Sequence, residues 1–203
     1  MKKLIQAVET LKPIIKTTVD TRIKEFEAII TNEDIFNELC FCLLTANFSA
    51  ARGIQIQYII GDGFLNLPED KLAEKLKQLG HRFPNARSKY IVEARKHKNS
   101  LKNLKRGNEH KSREWLVENI KGLGYKESSH FLRNIGRTDL AIIDFHIINL
   151  LVKHKLVEKP KTLTKKKYLD IENLLRKIAE KTNLTLAELD LYLWFTETGK
   201  VLK

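Results

Sequence analysis

Ile120-Lys121-Gly122-Leu123-Gly124-Tyr125-Lys126, followed by Ala141-Ile142-Ile143-Asp144-Phe145-His146, decides how this chain folds. Before the glycines, Leu116, Ile120 and Leu123 recur at helical spacing. After them, Ser128, Phe131, Leu132 and Ile135 line one side of a second helix. Gly122 and Gly124 suit a short turn between helices that needs positive φ and close backbone approach. Such a turn points backbone N–H groups outward beside a helix N-terminus, an arrangement that binds a phosphate without reading a base. An ordinary helix C-cap fits the same glycines, and on the turn alone the two readings stand level.

Outward from this turn the chain reads as helix almost throughout, with little strand alternation. Pro13 opens a long helix running towards Ile30, and Asn32 caps the next, which is apolar on nearly every side from Ile35 to Ala46. Asn47-Phe48-Ser49 breaks the pattern before Ala50 to Ile60 resumes it. Pro68 starts a helix that ends before Gly80, and His81-Arg82-Phe83-Pro84-Asn85 is a polar loop carrying one aromatic. A helix follows from Ala86 to His97; lysine-rich residues 98–111 read as a connection between lobes, and Ser112 caps what comes next. Gly136 fits a left-handed helix stop, and Asp144 is an N-cap for a helix to Leu151. Tyr168 to Ile178 is amphipathic, and Thr185-Leu186-Ala187-Glu188 is a capping box opening the last helix, through Trp194.

The chain of 203 residues, 42% hydrophobic, is long enough for a real core. Its 37 Lys and Arg against 25 Asp and Glu give a net charge of +12, which favours an anionic partner: nucleic acid, an acidic membrane face or an acidic protein. Cys40 and Cys42 point to different faces of one helix, so they read as buried free thiols. Two cysteines cannot ligate an iron–sulfur cluster, and the six histidines show no metal-ligand spacing. Lys2 and Lys3 are followed by Glu9 and Lys12 rather than by an apolar run, so neither a signal peptide nor a membrane span is expected. The expectation is a soluble intracellular protein, in the cytoplasm or nucleoid.

Lys126 stands at the mouth of the second helix, where a cation opposes the helix dipole. A solvated surface lysine is the plain reading; a nucleophile, which must shed its proton, is the alternative. Asp144 lies eighteen residues later between Ala141-Ile142-Ile143 and Ile147-Ile148, so its carboxylate has apolar surroundings. It serves as an N-cap, as a positioned charge, or as both.

These residues carry a resemblance. Ile120 to Ile147 resembles the helix–hairpin–helix DNA glycosylase superfamily, with its G-x-G-x-K hairpin and following aspartate. Within it the chain is most similar to the archaeal-type 8-oxoguanine DNA glycosylase/AP lyases. The likeness extends to Leu43-Leu44-Thr45-Ala46-Asn47, to Gly80-His81-Arg82-Phe83 and to the end of the chain from Leu193-Trp194 to Lys203. The missing cysteine cluster departs from the endonuclease III and adenine-glycosylase branches. The resemblance implies an all-α, two-lobed fold with the active site in the cleft between lobes. It divides the chain into roughly 33–110 as one lobe and 1–32 with 111–203 as the hairpin-bearing lobe.

It also implies that Lys126 is the nucleophile and Asp144 its carboxylate partner. Phe83 and Trp194 would sandwich a flipped base, while Gly122, Gly124 and His146 contact DNA phosphate. Asn47 would insert near the vacated stack or the opposite base, though an ordinary cap fits it at least as well. If Lys203 ends the chain, its α-carboxylate would accept the N7–H that distinguishes 8-oxoguanine from guanine. No metal or organic cofactor is expected beyond a monovalent cation at the hairpin. The expected partner is double-stranded DNA containing 8-oxoguanine, bound by a monomer without a membrane. A glycosylase for another lesion and a non-catalytic DNA-binding module are the alternatives.

Overall fold

A computed structural model describes all residues 1–203 and is entirely helical, with no strand. It divides into two compact units, residues 29–135 and residues 1–28 with 136–203.

The first unit is built around α2 (Asn32–Thr45). Thr31 caps this helix by accepting the Asp34 N–H at 3.1 Å, so the cap falls one residue before Asn32. From Ile35 to Thr45 every side chain except Asn37 is buried. Burying each large apolar side chain contributes about 1.5–3 kcal/mol, which makes α2 the axis of the unit. Around it lie α3 (Ala50–Ile60), the short α4 (Gly63–Asn66), α5 (Glu69–Gln78), α6 (Pro84–Ala94), α7 (Glu109–Asn119) and α8 (Tyr125–Asn134). Helices α3, α6 and α8 pack on α2, and α7 packs on α8. Cys40 and Cys42 are free and buried on α2, and burial pushes the Cys40 thiol well above its ordinary range.

Three expectations shift here. Residues 111–135 belong with 29–110, not with the chain ends, because α8 is buried against α2. Residues 98–111 do not link the two units; they form a 3-10 turn (Leu101–Lys105) inside the first, anchored by fully buried Leu101. Asn108, not Ser112, caps α7 by accepting the Lys111 N–H at 2.9 Å, while Ser112 is buried within the helix.

The second unit contains α1 (Lys2–Glu27), α9 (Phe145–Lys153), α10 (Lys165–Lys181) and α11 (Leu186–Thr198). Pro13 lies inside α1 rather than opening it. An interior proline removes a backbone donor. The helix continues because Leu4, Val8, Ile15, Val19 and Phe26 bury one stripe on both sides of the proline. Helices α1, α9 and α10 each pack on α11. Gly136 takes a φ of +87°, the left-handed stop expected after α8. No helix is long and apolar enough to cross a membrane.

The expected capping box is present at α11. Thr185 Oγ1 accepts the Glu188 N–H at 3.1 Å, and Glu188 accepts the Thr185 N–H at 2.7 Å. Thr185→Ala should cost about 1 kcal/mol, lowering the melting temperature by about 2–4 °C in a chain of this size. Adding Glu188→Ala should cost less than its single-variant value, because the two bonds form one box. Thermal denaturation followed by circular dichroism measures both; additive losses would count against the coupling.

Candidate active site

The hairpin joins α7 to α8. Its Leu123 N–H donates to the Ile120 carbonyl at 3.2 Å, closing the turn. Gly122 has a φ of +93°, and a Cβ there would lie 2.4 Å from Tyr90 Cδ2. Gly124 differs from expectation. Its φ is −95°, and a Cβ would meet nothing closer than Glu127 Oε2 at 3.5 Å. Only Gly122 needs glycine for its backbone conformation; at Gly124 the absent side chain leaves the start of α8 uncovered. The Gly124 carbonyl accepts the Ser128 N–H at 2.9 Å, so the amides of residues 125–127 precede the first intrahelical bond.

Lys126 is the second residue of α8 and is half-buried. Its Nζ lies 3.7 Å from Glu127 Oε1. Tyr125 beside it donates its hydroxyl to the Glu114 carboxylate, and the Arg113 guanidinium sits 4.9 Å over the Tyr125 ring. Glu127 as the neighbour of the Lys126 amine was not singled out in the sequence, although adjacency alone could have suggested it.

Phe83 stands in the same unit, at the N-cap of α6, and 36% of its surface is exposed. Its backbone N–H donates to His81 Nδ1 at 3.1 Å, and His81 Nε2 donates to the Leu44 carbonyl at 3.0 Å. Asn47 is exposed, with a φ of +57°, in the break between α2 and α3. The preceding Ala46 carbonyl accepts Arg87 Nη2 at 2.7 Å. Arg87 is buried, with its guanidinium 5.8 Å from the centre of the Phe83 ring and 5.8 Å from that of Tyr90. Burial lowers its pKa from the ordinary value, while Tyr90 and Glu127 push it back up. Sequence reasoning missed Arg87 and Tyr90, since both look like surface residues of a short helix.

The other unit carries Asp144, His146, Trp194 and Lys203. Asp144 caps α9 as expected, with Oδ1 accepting the Ile147 N–H at 2.9 Å. The apolar flank is real: Ala141, Ile142, Ile143 and Ile147 are all buried. The Ala141 carbonyl accepts the Tyr168 hydroxyl at 2.8 Å, and the Ala141 N–H donates to Glu172 Oε2 at 2.9 Å, so the approach to Asp144 is held from α10. The His146 ring meets the Trp194 ring edge-on, centres 4.9 Å apart, and lies 3.8 Å from the exposed Phe145 ring. Trp194 Nε1 is buried with no acceptor. Lys203 is half-exposed. Asp144, His146 and Trp194 are therefore near one another within one unit, while Lys126 belongs to the other. No three His, Cys, Asp or Glu side chains gather in a way that could hold a metal ion.

Comparison with known proteins places this arrangement. A family profile described as 8-oxoguanine DNA glycosylase matches residues 19–184. A Methanocaldococcus jannaschii protein named 8-oxoguanine DNA glycosylase/AP lyase is 56% identical, over 98% of this chain and 99% of the relative. A Korarchaeum cryptofilum protein of the same name is 52% identical, over 93% and 92%. The crystal structure of the M. jannaschii 8-oxoguanine glycosylase/lyase in complex with a 15mer DNA containing 8-oxoguanine matches with a TM-score of 0.96 at 55% identity, over 99% of this chain and 100% of the other. The 8-oxoguanine DNA glycosylase of Thermotoga maritima matches with a TM-score of 0.96 at 48% identity, over the whole of both chains. The profile spans most of the chain and the relatives match it over nearly its full length: the chain belongs to the 8-oxoguanine DNA glycosylase family.

Proposed function

We propose that this protein removes 8-oxoguanine from double-stranded DNA and then cleaves the strand at the abasic site. The observation that carries the reading is Lys126 one residue into the helix behind the Gly122 turn, in a chain of this family. The net charge of +12 supports a polyanionic partner. A base inside a duplex cannot be reached, so it must first be flipped out, at a cost of about a few kcal/mol.

In the proposed reaction the turn and the first amides of α8, with His146, grip backbone phosphate. Asn47 occupies the space the base leaves. Phe83 and Trp194 offer aromatic faces to the extruded purine, and Lys203 contributes to its selection. The neutral amine of Lys126 attacks C1′ as the bond to N9 breaks, and the departing purine carries away the bonding electrons. Asp144 Oδ1 accepts the Ile147 N–H, which leaves the second carboxylate oxygen for this chemistry. As a carboxylate, Asp144 offsets the positive charge that grows on the sugar; once Nζ has bonded to C1′, it takes a proton from the resulting secondary ammonium and passes it to O4′ as the ring opens. Ring opening gives a Schiff base between Nζ and C1′; loss of a C2′ proton then expels the 3′ phosphate by β-elimination. These residues complete the sequence without a metal or organic cofactor; a monovalent cation at the hairpin carbonyls would serve phosphate binding only. The enzyme works as a monomer, in the cytoplasm or nucleoid.

Borohydride should trap wild-type protein covalently on an 8-oxoguanine duplex. Lys126→Gln should yield no adduct while binding the same duplex within about threefold, since the lost group acts after binding. Trapping by the variant would remove Lys126 from its role, and absent trapping by wild type would favour a DNA-binding module. Asp144→Asn tests the carboxylate separately. Asparagine caps a helix as well as aspartate does, so the melting temperature should move by less than about 2 °C. Single-turnover excision should nevertheless fall by about a hundredfold or more, the scale of a lost transition-state charge partner. Near-normal excision by a folded Asp144→Asn would reject that assignment.

A further inference from the structure

His81 does more in this structure than fill space. Its ring is buried and makes hydrogen bonds through both nitrogens. The Leu44 carbonyl can only accept, so the proton sits on Nε2; the Phe83 N–H can only donate, so Nδ1 carries a lone pair. One neutral tautomer satisfies both bonds, and a protonated ring would break the second. The ring also lies against Phe48, centres 4.3 Å apart. Arg52 closes the same junction: it stands 5.5 Å over the Phe48 ring, and its Nη2 donates to the Leu79 carbonyl at 3.4 Å. Glycine is required at position 80, where φ is +73° and a Cβ would lie 2.5 Å from Arg52 Nη2. Burial pushes the His81 pKa down from its ordinary value; the Leu44 carbonyl opposes this, and the Arg87 and Arg52 charges add to it.

The consequence is local but specific. The residues His81 ties, Leu44 and Phe48 on one side and Phe83 on the other, flank or include the two groups assigned to the vacated stack and the extruded base. Arg87 makes a parallel tie, from the Ala46 carbonyl to the neighbourhood of the Phe83 ring. We infer that His81 is a positioning residue for base excision: it locks the turn carrying Asn47 to the loop carrying Phe83, so that both present to DNA as one rigid piece. The inference rests on the reading of Phe83 and Asn47 proposed above. A duplex that already contains an abasic site has no base to hold, so the lyase step on it should not need this lock.

Three variants and one spectrum test the assignment. His81→Phe keeps a ring against Phe48 and removes both nitrogens. It should slow single-turnover excision of 8-oxoguanine about tenfold or more, the scale of one or two lost hydrogen bonds, while cleavage of a preformed abasic duplex stays within about twofold. His81→Asn places an acceptor near Nδ1, where an Asx-type turn can take the Phe83 N–H, but leaves the Leu44 carbonyl untied, so it should recover only part of the excision rate, and full recovery would count against a bridge through both nitrogens. Phe83→Ala serves as the comparator for the reading beneath. Equal losses on both substrates would mark His81 as merely structural and overturn the inference. So would unchanged excision by His81→Phe when Phe83→Ala is impaired. Unchanged excision by Phe83→Ala itself would remove the platform reading, and the lock with it. Should His81→Phe fail to fold, ¹⁵N-imidazole spectra of the wild-type protein decide: the Nε2–H tautomer at neutral pH is expected, and an Nδ1–H or rapidly exchanging ring would overturn the proposal.

Discussion

There is no room for a side chain at Gly122, and the position of Lys126 follows from that. A Cβ there would press into Tyr90 at 2.4 Å and Leu43 Cδ2 at 3.2 Å, in a backbone conformation that L-residues rarely adopt. The tight turn lets α8 begin only three residues later, at Tyr125. Each residue rotates a helix by about 100°, so the direction of Lys126 is set by the register of α8. That register cannot slip, because Ser128 through Asn134 are all buried. A shift of one position would drive different groups into every contact. The proposed nucleophile thus inherits its place from seven buried neighbours and one missing side chain. Tyr90, the wall of the turn, is itself flanked by the Arg87 guanidinium at 5.8 Å and Lys121 Nζ at 5.7 Å.

The same unit keeps polar groups in its interior, and each has an identifiable task. Glu38 lies in the middle of α2 and accepts from Gln57 Nε2 at 3.1 Å and from Asn134 Nδ2 at 2.9 Å. Arg133 donates to Asn134 Oδ1 at 3.0 Å. Buried groups of this kind are costly unless bonded, so they select the one packing in which α3 and α8 both meet Glu38. At the far end of α2, the carbonyls of the last turn have no intrahelical donors. His81 takes Leu44 and Arg87 takes Ala46, and a cation near a helix C-terminus is favoured by the dipole. A helix that is apolar on all sides is thereby given a fixed rotation by its few polar contacts.

The helical fold was legible because its signals are local. Gly122, Gly136, the Asp144 cap, the Thr185 box and the break at Asn47 are each written in one or a few adjacent residues, and each stands where expected. Long-range choices were not legible. Pro13 reads as a helix start, but a buried stripe running past it overrides that preference. Residues 98–111 look like a linker by composition, yet buried Leu101 pins them inside a unit. His81 reads as a loop histidine and Arg87 draws no notice, because nothing in sequence reveals that the carbonyls of residues 44 and 46, some forty positions earlier, lie within reach. The candidate site divides along the same line. Lys126 and Asp144 announce themselves through the turn and the cap, whereas the groups that hold Phe83 are visible only in three dimensions.

Charge and selectivity must come from different parts of this molecule. A net charge of +12 attracts any DNA alike, because phosphates carry no sequence and no lesion. In the proposed reaction stacking selects little more, since every base presents a π face to Phe83 or Trp194. Discrimination between the oxidised and the ordinary purine therefore falls to a polar contact at the one atom that changes from acceptor to donor. A mismatch there costs about 1–3 kcal/mol, provided the base cannot shift to avoid it. In the proposed reaction that proviso is the purpose of the aromatic plates: a platform free to move by about 1 Å would let guanine relax away from the mismatch and erase the difference. Rigidity around Phe83, supplied by His81 and Arg87, is on this argument a condition for selectivity and not only for stability.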